Sequence, residues 1–152
     1  MRDEDRLSGD YCRPVSVLVL VYTLTGKVLL LRRRQPADIW QSVTGSLRRD
    51  ESHADAAARE LCEETGLADA GELRFSGKSR LFEIDPRWRH RFAPNVTQNV
   101  EFEWHYPLPA PLDVTLDGAE HSEFAWMTLE EAIDAVWSWT NRDALVELRD
   151  RL

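Results

Sequence analysis

Cysteine is scarce in this sequence of 152 residues, and long apolar runs are missing. The two cysteines, Cys12 and Cys62, are too few for a disulfide framework, so we expect a protein of the reducing cytoplasm. No apolar stretch approaches the roughly 18 residues that a transmembrane helix needs, and the N-terminal MRDEDRLSGDY is polar and acidic. The sequence therefore predicts neither a membrane span nor a signal peptide.

Basic residues are outnumbered, since 19 Lys and Arg against 27 Asp and Glu give a net charge of −8. A general nucleic-acid-binding protein would present a basic face, so this balance argues against that class. We also predict no membrane partner and no protein partner. Positive charge is concentrated in Arg32, Arg33 and Arg34, which could offset an anionic substrate or simply form a solvated strand end.

The composition is that of one folded domain. Hydrophobic residues make up 43% of the chain and charged residues 30%, which is typical of globular proteins. We expect residues 1–11 to form a flexible tail and residues 12–152 to form a single domain with its own core.

The predicted elements run from strands to a helix, to more strands and finally to helices. Residues 15–24 are apolar on both faces, as in a buried central strand, and residues 27–33 return after a turn at Thr25 and Gly26. Further strands are predicted at 73–85 (broken near Gly77), 96–107, 114–116 and 123–127. A capping box of Thr128 and Glu131 begins one helix, and Thr140 or Asn141 begins the last. This order predicts an α+β fold, an α/β/α sandwich.

The helix predicted at residues 52–64 has clear ends. Ser52 begins it with a capping interaction and Gly66 ends it. Apolar residues recur at helical spacing and predict a stripe that faces the core, formed by Ala54, Ala57, Ala58 and Leu61.

Three glutamates of this helix lie close together. Glu60, Glu63 and Glu64 fall within about 100° around the helix axis, beside the apolar stripe. Ionised carboxylates at that spacing repel one another, and a bound Mg²⁺ or Mn²⁺ would reverse the penalty because hard cations take oxygen ligands. Taken alone, E-x-x-E-E is more often a solvated acidic face.

Residues 45–67, GSLRRDESHADAAARELCEETGL, match G-x5-E-x7-R-E-U-x-E-E-x-G-U, where U is aliphatic. This pattern resembles the Nudix box of the Nudix hydrolases, which cleave nucleoside diphosphates linked to another moiety with the help of a divalent metal. The resemblance covers nearly the whole chain and implies a mixed sheet between helices.

Four stretches outside the box narrow the resemblance: RPVSVLV at 13–19, WQSVTGS at 40–46, HRFAPNVTQN at 90–99 and SWTNRDAL at 138–145. They resemble bacterial Nudix enzymes that remove pyrophosphate from 7,8-dihydroneopterin triphosphate on the route to folate. Cys12, Asp50 and Asn95 depart from that pattern, and Cys12 stands where a lysine is expected.

The resemblance implies roles for individual residues. It gives the metal ligands as Glu60, Glu64 and Glu120. Asp117 and Glu123, which lie near Glu120 in the sequence, compete with it for the role of the remote ligand. It implies that the small-molecule triphosphate substrate is bound by Arg33, Thr44, Phe82, Glu83, Ile84, Asp85 and Ser138.

Attack on phosphorus needs an activated water and a carboxylate that takes its proton. Glu63, Glu64 and Glu120 are candidates for this base, and the resemblance implies that Arg59 holds a glutamate in place by an ion pair. The aromatic residues available to stack on a flat ring are Trp40, Phe82, Trp88, Phe92, Trp137 and Trp139.

Two other functions compete with this hypothesis. A house-cleaning pyrophosphohydrolase for nucleoside triphosphates would share the box but lack the flanking stretches. A non-catalytic nucleotide-binding Nudix module would be expected to lose glutamates of the box, whereas this chain keeps Glu51, Glu60, Glu63 and Glu64.

Overall fold

The computed structural model describes residues 6–7, 11–67 and 69–152. Strand β1 (Arg6–Leu7) pairs antiparallel with β2 (Tyr11–Cys12). The rest of the predicted tail, residues 1–5 and 8–10, lies outside the described residues, so the tail stays a prediction. No helix in the described ranges is long and apolar enough to cross a membrane.

A mixed sheet of seven strands forms the centre of the described chain. Strand β3 pairs in parallel with β8 from Val15 opposite Val100 to Thr23 opposite Leu108, and the other pairs in this sheet are antiparallel. The order is β5-β4-β3-β8-β7, with β6 on β3 and β9 on β4. The strands are β3 (Val15–Thr23), β4 (Lys27–Arg33), β5 (Trp40–Gln41), β6 (Val43–Ser46), β7 (Arg74–Glu83), β8 (Gln98–Leu108) and β9 (His121–Thr128).

Helices cover both faces of the sheet. Helix α1 (His53–Thr65) packs against the face of β3 that carries Val17, Val19 and Val21. Helices α2 (Leu129–Ala135) and α3 (Trp139–Arg151) pack against the face that carries Leu18 and Leu20. Because β3 is covered on both sides, it needs the continuous apolar run seen in the sequence. The predicted α+β sandwich with a mixed sheet between helices is confirmed.

Several local predictions are confirmed. The Ser52 side chain accepts a hydrogen bond from the Asp55 N–H at 3.1 Å, and Gly66 ends α1 in the left-handed conformation. Thr128 and Glu131 form the reciprocal capping box of α2. Strand β7 is irregular around Gly77, where the backbone has a positive φ.

Two element predictions are wrong. Residues 114–116 form no strand; the Thr115 N–H donates to the Thr65 carbonyl at the end of α1, and Val114 and Leu116 pack against the core. Helix α3 begins with Ser138 as N-cap, ahead of the predicted caps. Asn141 instead joins α3 to the loop before β6, because its amide accepts from the Ser42 N–H at 2.9 Å and donates to the Ser42 hydroxyl at 3.0 Å.

The predicted core stripe of α1 is only half right. Ala57 and Leu61 are buried, but Ala54 and Ala58 are exposed. The inward face is completed by Ala56 and by two of the glutamates, Glu60 and Glu64. These carboxylates therefore lie on the buried face of the helix, where the sequence pattern predicted a position beside it.

Candidate active site

Gly45 lies where β6 meets α1, and a larger residue would not fit there. A Cβ atom at Gly45 would lie 2.3 Å from Cδ of Glu60, far inside contact distance. The missing side chain lets the buried Glu60 carboxyl group lie directly against the strand backbone. Strand β6 is positioned by β3, with Val17 opposite Gly45, so the sheet brings the first residue of the box against its helix.

Arg59 joins the other box glutamates to the loop before α1. Its Nε donates to Oε2 of Glu51 at 2.8 Å and its Nη2 donates to Oε1 of the same residue at 2.9 Å. Its Nη1 donates to Glu60 and, at 3.4 Å, to Glu63. Burial raises the pKa of Glu51, but the hydrogen bonds from Arg59 and from a backbone N–H outweigh it and leave that pKa below its ordinary value. Arg59 thus orients three carboxylates.

Glu64 is fully buried, one helical turn beyond Glu60. Among the described residues, neither of its carboxylate oxygens has a hydrogen-bond partner, and Nε2 of His121 lies 3.8 Å from Oε1. Burial, then the neighbouring Glu60 carboxylate, then the charge of Glu120 raise the pKa of Glu64 well above its ordinary value. All three effects favour the protonated form when no cation is present.

Glu120 approaches α1 from the turn before β9. Its carbonyl oxygen accepts from the Arg34 N–H at 2.9 Å, and its own N–H donates to the Asp117 carbonyl at 3.1 Å. These bonds fix the turn beside the end of β4. Since the charge of Glu120 raises the pKa of Glu64, the fold brings together carboxylates that are far apart in the sequence.

The two alternative carboxylates of this region have other contacts. The Asp117 side chain accepts from the Ala119 N–H at 3.1 Å, which closes the turn. Glu123 forms an exposed ion pair with Arg32 at 2.7 Å. The geometry therefore favours Glu120 as the remote carboxylate.

A cavity of about 420 Å³ opens beside this turn, which is a usual size for a small-molecule site. Its wall includes Gly45, Ser46 and Glu120. It does not include Arg59, Glu60, Glu63 or Glu64. Every residue predicted to bind substrate lines it: Arg33, Thr44, Phe82, Glu83, Ile84, Asp85 and Ser138.

Arginines and aromatic rings make up much of the cavity wall. Cζ of Arg33 lies 5.3 Å from the centre of the Trp88 ring, which itself lies 5.0 Å from the Trp137 ring. Trp40 alone among the predicted stacking residues does not line the cavity, and it packs in the core beneath α2 and α3. Flat apolar walls with Arg33, Arg91 and Arg142 suit a planar ring that carries phosphates.

Comparison with known proteins decides the family, because the family model of the NUDIX domain matches residues 13–148. The chain belongs to the NUDIX family. It is 39% identical over 139 residues to dihydroneopterin triphosphate diphosphatase of Escherichia coli (strain K12), covering 89% of this chain and 91% of that protein. It is 36% identical over 143 residues to the Haemophilus influenzae protein of the same name, covering 91% and 89%.

Comparison with a solved structure also shows that the chain has the Nudix fold. The structure of the E. coli dihydroneopterin triphosphate pyrophosphohydrolase superimposes with a TM-score of 0.84 at 38% identity, covering 91% of this chain and 96% of that one. The prediction of a Nudix hydrolase from the box is therefore confirmed.

Nudix hydrolases use divalent metal ions, and the carboxylates here fit such an ion. Burying a carboxylate without partners is costly, and a cation beside Glu64 and Glu60 would remove that cost. Within residues 11–67 and 69–152, no three carboxylate, imidazole or thiol groups already form a finished metal site. A small hard cation completes its ligands with water and substrate phosphate, so one or two carboxylates are enough to hold it.

The sequence predictions missed a row of buried polar residues along one face of β8: Asn99, Glu101, Glu103 and His105. Such residues alternate with apolar ones, which is also the pattern of a strand with one face in water. The sequence carried no local signal that this face is covered, because the pairing of β8 with β3 is known only from the fold. Asn99 and Glu101 line the cavity, as do the equally unpredicted Ser16, Leu18, Gln41, Arg91, Asn141 and Arg142.

Proposed function

We propose that this chain hydrolyses 7,8-dihydroneopterin triphosphate to the monophosphate and pyrophosphate, with Mg²⁺ as its metal and Mn²⁺ as a possible substitute. The observation that carries the proposal is the identity of 39% and 36% to two enzymes named for this substrate, each over most of the chain. The reaction would place the protein in folate biosynthesis in the cytoplasm. Its partner would be the small-molecule triphosphate, with no nucleic acid, membrane or protein partner.

The metal ion would be held by Glu60, Glu64 and Glu120, and when bound it supplies positive charge that activates water and offsets charge developing on phosphate. Arg59 keeps Glu60 in position through their ion pair. Arg33 lines the cavity within electrostatic reach of both Glu120 and Glu64, so it can hold the phosphates beside the carboxylates.

Three glutamates are candidates for the base that takes the proton of the attacking water. Glu63 is already engaged by Arg48 at 3.2 Å and by Arg59 at 3.4 Å. Glu64 is fully buried and does not line the cavity. Glu120 alone among the three lines the space where substrate would lie, so we assign the role of the base to Glu120.

Turnover of a panel of triphosphates in Mg²⁺ tests the proposal, with pyrophosphate and phosphate measured separately. We expect pyrophosphate release, loss of activity in excess EDTA, and a higher kcat/KM for dihydroneopterin triphosphate than for dATP or dGTP. Equal or better values for a purine triphosphate would favour the house-cleaning enzyme. No turnover of any triphosphate would favour the non-catalytic module.

A further inference from the structure

Glu101 differs from the other buried acidic residue of its row because one of its oxygens has no partner. Its exposed fraction is 7%, and Oε1 has no hydrogen-bond partner among the described residues. Two positions along the same face, Glu103 accepts from Arg80 at 2.6 Å and shares a hydrogen bond with His105 at 2.5 Å. A buried acceptor without a donor is destabilising, so folding alone gives no reason for a carboxylate at position 101.

The position of Glu101 connects it to the substrate cavity. It lies opposite Ser16 in the parallel pairing of β8 with β3, and both residues line the cavity. Asn99, the next residue of the row, already donates to the Ser16 hydroxyl at 2.8 Å. Trp137 and Trp139 line the same cavity from the segment at the start of α3. The cavity thus offers a carboxylate acceptor together with flat aromatic rings.

The chemistry of this acceptor restricts what can bind beside it. Phosphate would be repelled by the carboxylate, and an apolar group would leave it unsatisfied. A carboxylate can instead accept two parallel N–H bonds from a planar group. The ring N–H and the adjacent amino group of a 2-amino-4-oxopyrimidine present two such donors side by side, in pterins and in guanine alike. Adenine places an acceptor nitrogen beside its amino group.

We propose that Glu101 recognises the ring of the substrate, accepting hydrogen bonds from the ring N–H and 2-amino group of a 2-amino-4-oxopyrimidine. The inference rests on the proposed function, because it assumes that the triphosphate lies at the end of the cavity formed by Glu120 and Arg33. Glu101 is then a residue that selects substrate and takes no part in phosphorus chemistry.

Steady-state kinetics with dGTP and dITP test this role, because the two differ only by the 2-amino group. For the wild type we expect kcat/KM for dGTP to exceed that for dITP by roughly tenfold or more, as for one hydrogen bond to a charged group. In Glu101→Gln the gap should fall to within about threefold, mainly through a higher KM for dGTP with kcat little changed.

Glu103→Gln is the matched control, since it removes a buried carboxylate from the same strand face outside the cavity wall. It should keep the wild-type ratio of dGTP to dITP. An unchanged ratio in Glu101→Gln, or an equal loss for dGTP, dITP and dATP, would overturn the role of Glu101. If Glu101→Gln does not fold, Glu101→Asp withdraws the carboxylate by one methylene and should narrow the same gap; an unchanged gap there would also overturn it.

The failure of this inference can be told apart from failure of the proposed function. A wild-type preference for a purine triphosphate over dihydroneopterin triphosphate would refute the proposed function whatever Glu101 does. The comparison of dGTP with dITP measures recognition of the 2-amino group whichever triphosphate is preferred.

Discussion

Replacing Glu101 by glutamine should stabilise the protein more at pH 8 than at pH 5. Burial raises the pKa of Glu101 from an ordinary value of 4.5 to about 7, although a hydrogen bond from Thr140 and the charge of Arg80 oppose the rise. Between these two values the native state binds the proton more tightly than the unfolded state, so stability falls as pH rises through that window. At about 1.4 kcal/mol per pH unit, the full loss above pH 7 is about 3 kcal/mol.

Glutamine has the shape of protonated glutamic acid but does not ionise, so the variant avoids this loss. The measurement is the free energy of unfolding of both proteins in urea at the two pH values, followed by tryptophan fluorescence. The variant should exceed the wild type by less than about 1 kcal/mol at pH 5 and by about 3 kcal/mol at pH 8. The latter corresponds to a Tm higher by about 6–12 °C. The pKa of Glu64 is also raised, but Glu64 is present in both proteins, so the difference in stability between them is assigned to Glu101.

Glu72→Gln is a suitable control, because it makes the same chemical change at a side chain that is 75% exposed and little desolvated, so it should not give the gain in stability expected for Glu101→Gln. An advantage of Glu101→Gln that is the same at pH 5 and pH 8 would refute the reasoning. A variant that is more stable but loses the preference for dGTP over dITP would show that the carboxylate serves binding at the expense of stability.

Three further substitutions test the carboxylate site. Glu64→Gln should lower the rate at least about 100-fold while the Tm without metal holds or rises; normal specific activity per folded molecule would make Glu64 structural. Glu120→Gln should lower kcat and raise the Mg²⁺ concentration for half-activity, whereas Asp117→Asn in the same turn should not; a wild-type Mg²⁺ titration for Glu120→Gln would remove it from the metal site. Gly45→Ala forces Glu60 away, so the Mg²⁺ requirement should rise roughly tenfold or more, and an unchanged requirement would contradict the packing argument.

Helix α1 shows what local sequence could predict and where it failed. Ser52 and Gly66 were found because capping depends on the residues next to a helix end. The buried face was misjudged because periodicity places apolar residues inward, whereas the inward face here carries Glu60 and Glu64. Buried carboxylates are exceptions to the rule that apolar residues face the core and charged residues face water, and such exceptions are expected where a protein binds a ligand.

Strand β8 shows a different limit, because its meaning depends on a non-local pairing. Alternation of polar and apolar residues predicts a strand, but it cannot say whether the polar face meets water or protein. Only the parallel register of β8 against β3 places that face beneath α3. The residues of this face differ in their hydrogen-bond partners. Glu103 and His105 share a hydrogen bond, and His105 also bonds to the Tyr22 hydroxyl at 3.0 Å. Glu101 keeps an unpaired oxygen at the cavity wall, and this contrast between two buried neighbours supports the proposal that its missing partner is the ring of the substrate.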